Sequence, residues 1–249
     1  MNLSSVWLIA FALNTILLAI AYIIPKKLLT PAGYLHAWVL GVLIWGTLGW
    51  RGYTLIMFYF LVGSAVTKIG IKQKEAEGIA EKRSGMRGPE NVWGSALAGS
   101  LCAILTLLVG SPYQELLILG YVASLSTKLS DTSASEVGKA YGKKTFLITT
   151  LQPVPRGTEG AISLEGTLAG VFASAAIASL GLGIGIISGI GVIWCILAAF
   201  VATNLESLIG ATLQTKWEWL TNEYVNVINT LIGAIVAILL GFLAQNLAL

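Results

Sequence analysis

Long apolar runs recur along the whole chain, separated by short segments that hold nearly all of its charged residues. Hydrophobic residues make up 56% of the sequence and charged residues 11%, whereas a soluble domain carries about 25% charged residues. A helix needs about 20 apolar residues to cross a bilayer. The pattern predicts one domain, 1–249, folded as an all-α, polytopic membrane helix bundle of about eight transmembrane helices. We place the spans near residues 3–24, 33–49, 53–69, 94–110, 113–130, 161–181, 185–205 and 225–247.

The lysines and arginines collect in or beside alternate connections between these spans. Positive charge accumulates in cytoplasmic loops, so both termini are predicted to face away from the cytosol. The loops at 70–93, 131–160 and 206–224 then lie at the cytosolic, or stromal, membrane face. Arg51 is the exception on the opposite side. The cytosolic side holds Lys26, Lys27, Lys68, Lys72, Lys74, Lys82, Arg83, Arg87, Lys128, Lys139, Lys143, Lys144, Arg156 and Lys216.

Composition excludes several functional classes. The net charge of +3 follows from membrane orientation and requires no nucleic-acid partner. A single histidine, His36, excludes a histidine-rich metal site or a histidine relay. Cys102 and Cys195 lie in apolar runs without zinc-like spacing, so we expect buried thiols and no disulfide. The sequence leaves open whether the chain forms a homo-oligomer.

The segment 124–170 contains Asp131, the one aspartate of the chain. Ionised groups at membrane depth are costly and tend to be functional. Lys128, Asp131 and Ser135 share one helical face, whereas Glu136 joins Asp131 only if the helix ends or bends near residues 133–135. Asp131 and Glu136 then suit Mg²⁺, which takes one or two carboxylates plus substrate phosphates. The alternative is a Lys128–Asp131 ion pair that only stabilises the fold.

The first polar loop sets Lys82, Arg83 and Arg87 among glycines. Guanidinium groups and free backbone N–H groups suit phosphate oxygens. The alternative is a basic loop that binds anionic lipid headgroups. Four other charged residues of this loop are expected to lie at the surface in contact with water: Lys72, Lys74, Glu75 and Glu77.

A third segment, 153–160, presents Arg156, Gly157 and Thr158 just before a predicted helix. Helix N-termini attract phosphate through unpaired N–H groups, so this segment is a candidate phosphate site. A rigid turn with a helix N-cap is the competing interpretation.

Two further motifs enter the last spans. Glu206 is charged and flanked by apolar helix, which makes it a candidate metal or phosphate ligand. Asn222, Asn226 and Asn229 recur at helical spacing. This stripe could join helices together or hold a base, a ribose or a metal-bound water.

The motifs together resemble the integral-membrane family that contains the phytyl-phosphate kinases of tocopherol biosynthesis. The resemblance runs from about residue 30 to the C-terminus and rests on KRSGMRGPENVWGSALAG, LSDTSASEVG, LITTLQPVPRGTEGAISLEGTLAG, NLESLIGATLQ and LTNEYVNVINTLIGA. It implies phosphoryl transfer from a nucleoside triphosphate, CTP, to phytyl phosphate. The family's motifs fall on Asp131, Glu136, Pro155, Arg156, Gly157, Thr158, Glu206, Ser207, Gly210 and Thr212. Relatives often carry Asp-Gly-Gly after the Gly-Thr pair, and this chain has Glu159-Gly160-Ala161, so Glu159 is not counted as a site residue.

The resemblance and the residues together assign roles at this face. Asp131, Glu136 and Glu206 are expected to hold Mg²⁺, while Lys128 and Arg156 bind phosphates beside the reacting groups. The expected partners are a nucleoside triphosphate, a prenyl-phosphate lipid and membrane lipid. One alternative is a prenol kinase with Asp131 as general base, and another is a transporter of an anionic substrate. Nucleotide and phosphate binding falls to Lys82, Arg83, Arg87, Ser135, Gly157, Thr158, Asn222 and Asn226.

Overall fold

A computed structural model describes residues 3–25, 27–214 and 216–247, so Lys26 of the cationic group lies outside the described residues. The fold is a helix bundle with one short antiparallel hairpin, β1 (Thr145–Leu147) and β2 (Ala161–Ser163), which the sequence did not predict. A 3₁₀ turn spans Lys82–Gly85, and a π-helical turn spans Gly210–Gln214. The α-helices are α1 (Leu3–Ile23), α2 (Pro31–Thr67), α3 (Ile71–Ala76), α4 (Pro89–Leu105), α5 (Tyr113–Tyr141), α6 (Leu164–Gly183), α7 (Gly189–Ile209) and α8 (Asn222–Leu247).

Helix α2 folds back on itself at Gly49, whose φ of 64° and ψ of −159° are not helical. Glycine adopts this conformation because it has no Cβ. The two arms bring Gly33 and Gly63 to the same residue: a Cβ on Gly33 would lie 2.5 Å from the Arg87 carbonyl oxygen, and one on Gly63 would lie 2.9 Å from the Arg87 guanidinium. An uninterrupted helix would hold these two glycines about 45 Å apart. The long apolar run therefore forms two antiparallel arms, as the sequence predicted.

Five of the described helices are long and apolar enough to cross a membrane, namely α1, α2, α6, α7 and α8. The polytopic helical architecture is thus confirmed. The prediction of about eight spans, and of both termini facing away from the cytosol, stays a prediction.

Helix α5 lies at the centre of the bundle, where α2, α4, α6, α7 and α8 all pack against it. It continues eleven residues beyond the predicted span 113–130, to Tyr141. The predicted loops were therefore too long, because 131–141 and 206–214 are helical. Neighbouring helices bury Asp131, Thr132, Ser133 and Glu136, polar residues that made this part of α5 look like a loop.

Candidate functional site

A cavity of about 660 Å³ gathers the polar motifs from segments that are far apart in sequence. Its walls come from the 3₁₀ turn, the second half of α5, the loop before β2 and the facing ends of α6, α7 and α8. We call this space the polar cavity. Of the predicted site residues, those that line it are Lys82, Arg83, Arg87, Lys128, Asp131, Ser135, Glu136, Gly157, Thr158, Glu206, Asn222 and Asn226.

Lys128 and Asp131 form a buried ion pair on the wall of the polar cavity. The Lys128 ammonium donates to Asp131 Oδ2 at 2.6 Å and to Asn226 Oδ1 at 2.7 Å. Lys128 and Asp131 are each 7% exposed. The ion pair that the sequence suggested is therefore present. Because it also faces the cavity, it is in a position to contact a ligand. Asn226 connects it to α8.

Glu206 reaches the same cavity from the end of α7, within electrostatic range of Asp131 and Lys128. The described residues contain no cluster of three or more histidine, cysteine or carboxylate side chains that could enclose a metal ion. Mg²⁺ does not need such a cage, because substrate phosphates and waters complete its octahedron. Asp131 and Glu206, two hard oxygen donors on one cavity, fit that mode of binding.

Glu136 is not brought beside Asp131 by any bend of the helix. Helix α5 runs unbroken past residues 133–135, and Glu136 accepts a hydrogen bond from Lys74. The prediction that Lys74 is solvated was wrong: its side chain is fully buried and also donates to the Thr67 carbonyl at 2.9 Å. Because α3 folds back against α5, the Lys74 ammonium already neutralises this carboxylate. The arrangement favours Glu206 over Glu136 as the partner of Asp131.

The basic loop is held in place by specific contacts. Arg87 donates to the hydroxyl of Tyr59 at 2.6 Å, and Tyr59 is only 3% exposed. Arg83 pairs with Glu90 and donates to Asn91 Oδ1 at 2.9 Å. The loop therefore presents ordered guanidinium groups to the cavity. Sequence reasoning missed Tyr59, because a tyrosine inside an apolar span resembles any other packing residue.

The side chain of Arg156 does not line the polar cavity. Its guanidinium donates to Glu77 Oε1 at 2.7 Å and to the Ala140 carbonyl at 3.3 Å. The cavity wall is formed instead by its neighbours Gly157 and Thr158. We expected Arg156 to contact a substrate phosphate. In this structure its guanidinium is instead bound by the carboxylate of Glu77, outside the lining of the polar cavity.

Gly160 anchors the same loop against α7. Its φ is 75°, and a Cβ there would lie 2.6 Å from the Ser207 carbonyl oxygen. The N-cap interpretation of this segment also holds at α6, where Ser163 Oγ accepts from the Gly166 N–H at 3.1 Å. Sequence reasoning set Glu159 aside, yet it lines the cavity, as do Ser130, Thr203 and Gln214.

The asparagine stripe divides into two parts. Asn222 and Asn226 line the polar cavity. Asn229 is fully buried, and neither of its amide atoms has a hydrogen-bond partner among the described residues. The stripe therefore begins at the site and continues into the helix packing.

The comparison with known families agrees with this architecture. The model of the integral membrane protein family DUF92 matches residues 14–234. The chain belongs to this family. No solved structure matches it.

Relatives of this DUF92 chain come from distant organisms. It is 69% identical over 237 residues to an uncharacterized membrane protein of Synechocystis sp., covering 95% of this chain and 92% of the relative. It is 47% identical over 248 residues to Protein VTE6, chloroplastic, of Arabidopsis thaliana, covering 98% and 74%. An uncharacterized membrane protein of Methanocaldococcus jannaschii is 33% identical over 227 residues, with 90% and 91% covered.

Proposed function

We propose that this protein transfers a phosphoryl group from a nucleoside triphosphate, CTP, to phytyl phosphate, yielding phytyl diphosphate. The observation that carries the proposal is the buried Lys128–Asp131 pair on a cavity that also receives Glu206 and Arg87. Burying an ion pair for stability alone is seldom favourable, so a charged site of this kind suggests chemistry. The resemblance to membrane phytyl-phosphate kinases supports the choice of reaction, and the similarity to Protein VTE6 over 98% of this chain is compatible with it.

The proposed reaction joins two anions. An oxygen of the lipid phosphate attacks the terminal phosphorus of the nucleotide, and the bond from that phosphorus to the bridging oxygen breaks. Phytyl diphosphate and a nucleoside diphosphate leave. The second pKa of a phosphate monoester is about 6, so the attacking oxygen is ionised near neutral pH and needs no strong base. Catalysis then consists of positioning and charge neutralisation.

The residues of the polar cavity match those needs. An ammonium has three N–H donors, and Lys128 gives two of them to Asp131 and Asn226, which leaves one for a phosphate oxygen. Arg87, fixed by Tyr59, offers a guanidinium from the facing wall, and exposed Lys82 attracts the nucleotide at the mouth. Asp131 and Glu206 would hold Mg²⁺. When bound, the ion would screen the charge that develops between the two phosphates.

The direct test is a substrate screen with the purified, full-length protein in lipid nanodiscs. Phytyl phosphate is incubated with each of the four common nucleoside triphosphates and Mg²⁺, and phytyl diphosphate is measured by mass spectrometry. We expect product with at least one nucleotide and none without Mg²⁺. Absence of turnover with every prenyl monophosphate and every nucleotide would refute the proposal.

A parallel assay with phytol separates the prenol kinase alternative. A free alcohol has to lose its proton during attack, which requires a general base within hydrogen-bond reach. In this structure the carboxylate of Asp131 already accepts a hydrogen bond from the Lys128 ammonium at 2.6 Å, so it is not free to take a proton from an alcohol. We therefore expect phytyl phosphate, and not phytol, to be the better acceptor.

A further inference from the structure

A second cavity lies between α4 and α8 and joins the polar cavity at its rim. Its volume is about 510 Å³, within the range of ligand-sized clefts. The two cavities share Lys82, Arg83, Thr221 and Glu223. We call this second space the α4–α8 groove. Beyond the shared rim its lining comes from Glu90, Trp93, Gly94, Leu97, Tyr224 and Val227.

The groove changes in character along its length. The shared rim carries two cations and the carboxylate of Glu223, and Glu90 beyond the rim is already paired with Arg83. Farther along α4 and α8 the walls are aromatic and aliphatic: Trp93 and Leu97 on one side, Tyr224 and Val227 on the other. An amphipathic ligand with an anionic head and an apolar body matches that change.

The floor and one wall of the groove are fixed. Helices α4 and α8 approach closely at Gly94, where a Cβ would lie 3.3 Å from the Glu223 carbonyl oxygen. The Trp93 indole N–H donates to His36 Nδ1 at 2.8 Å, which holds the ring in one orientation. The apolar cleft is therefore formed before any ligand arrives.

The far end of the groove continues onto a surface suited to lipid. Leu97 is 36% exposed, and Leu101, one helical turn further along α4, is 48% exposed. On α8, Ile228 and Leu231 are 36% and 43% exposed. An aliphatic chain could thus enter sideways from the membrane, while the nucleotide approaches through the polar loops on the other side of the rim.

We infer that the α4–α8 groove binds the prenyl chain of the lipid phosphate, and that Leu97 and Val227 determine which chain lengths are accepted. The inference rests on the proposed function for the identity of the lipid. It adds the place where the lipid tail lies, with the phosphate reaching the polar cavity past Lys82 and Arg83.

The first experiment narrows the groove without touching the polar cavity. Leu97→Trp and Val227→Trp are compared with Leu182→Trp and Leu243→Trp, the same change at exposed positions near the ends of α6 and α8 that lie farthest from both cavities. We expect the two groove variants to raise the KM for phytyl phosphate about tenfold, the size of effect that steric exclusion from an apolar pocket produces. The KM for dimethylallyl phosphate, whose short chain does not reach these positions, should stay unchanged, as should both constants in the two control variants.

A second experiment does not depend on turnover. Phytyl phosphate carrying a diazirine near the end of its chain is bound to the full-length protein in nanodiscs and activated by light. We expect the label on peptides from 89–105 and 222–247, displaced by unlabelled phytyl phosphate. Label concentrated on α6 and α7 instead, with KM raised by Phe200→Trp and not by Leu97→Trp, would overturn the inference. Groove labelling in a protein that shows no turnover would retain the binding site and refute the kinase proposal.

Discussion

Lys128 and Asp131 stand one helical turn apart on the central helix α5, joined by a hydrogen bond of 2.6 Å on the wall of the polar cavity. The pair is nearly excluded from water, yet it is not sealed within the packing. An ammonium and a carboxylate held in this way keep both charges available to a ligand at little further cost of reorganisation. Under the proposed function, the two phosphates would meet beside this pair of opposite charges.

Asp131→Asn should remove most of the activity. The amide keeps the shape of the side chain but loses the negative charge that positions Lys128 and would hold the metal ion. We expect turnover to fall about 100-fold or more, as when one preorganised electrostatic group is removed from an active site. Initial rates of phytyl diphosphate formation measure the loss, with circular dichroism to verify the helical fold.

Glu218→Gln serves as the matched control, because Glu218 is exposed in the connection between α7 and α8 and does not line the polar cavity. It also removes one carboxylate, so the net charge changes equally. Full activity of Asp131→Asn would exclude Asp131 from the mechanism.

Two carboxylates can be distinguished by their effect on Mg²⁺ dependence. Glu206→Gln should raise the Mg²⁺ concentration that gives half-maximal rate about tenfold or more. Replacing even a residue that only supports a metal ligand lowers metal affinity by about that factor. Glu136→Gln should leave this concentration unchanged, since Glu136 is paired with Lys74. Mg²⁺ titrations of both purified variants give the comparison. The opposite order of the two effects would assign the metal to Glu136.

The Lys74–Glu136 pair should instead contribute to stability. Without Lys74, the buried Glu136 carboxylate keeps only the longer contact to Lys139 at 3.4 Å, and breaking a buried ion pair costs about 3–5 kcal/mol. We therefore expect Lys74→Met to lower the thermal midpoint in detergent strongly. The double variant Lys74→Met, Glu136→Leu should recover most of the loss, because no buried charge remains. An unaffected midpoint in the single variant would show that Lys139 alone compensates the charge of Glu136.

Charge made part of the site predictable from the sequence. Lys128, Asp131 and Glu206 are conspicuous because ionised residues are rare in apolar helices, and all three line one cavity. Tyr59 gave no such signal, because its role depends on an arginine on another element. The sequence also could not show that Glu77, distant in the chain, turns Arg156 away from the cavity.

The apolar helices were predictable from the sequence. The prediction failed where a helix carries many polar residues. Apolar runs located α1, α6, α7 and α8 to within a few residues. The extension of α5 to Tyr141 was missed, since serine, threonine and charge favour loops unless other helices cover them. Burial against the neighbouring helices, a property of the whole bundle, decided the outcome.

Tyr59→Phe should weaken the binding of the nucleotide by Arg87. The phenylalanine keeps the packing but removes the oxygen that accepts from the guanidinium at 2.6 Å. Hydrogen bonds to charged groups contribute about 1.5–3 kcal/mol, so we expect the KM for the nucleotide to rise about tenfold or more. Tyr53→Phe is the control, because the Tyr53 hydroxyl bonds to Asn14, away from the cavity. Equal effects of the two changes would mean that Tyr59 acts through general packing.

Gly49→Ala should destabilise the helix bundle although Gly49 does not line the polar cavity. The φ of 64° and ψ of −159° at the reversal of α2 suit glycine, and a Cβ would strain the backbone even though open space surrounds the position. Such strain costs about 1–3 kcal/mol, so the thermal midpoint in detergent should fall. Gly183→Ala is the matched control: Gly183 is also surrounded by open space, but it has ordinary helical geometry at the end of α6. Equal midpoints for the two variants would mean that the reversal tolerates a side chain and that the arms of α2 are held together by their packing alone.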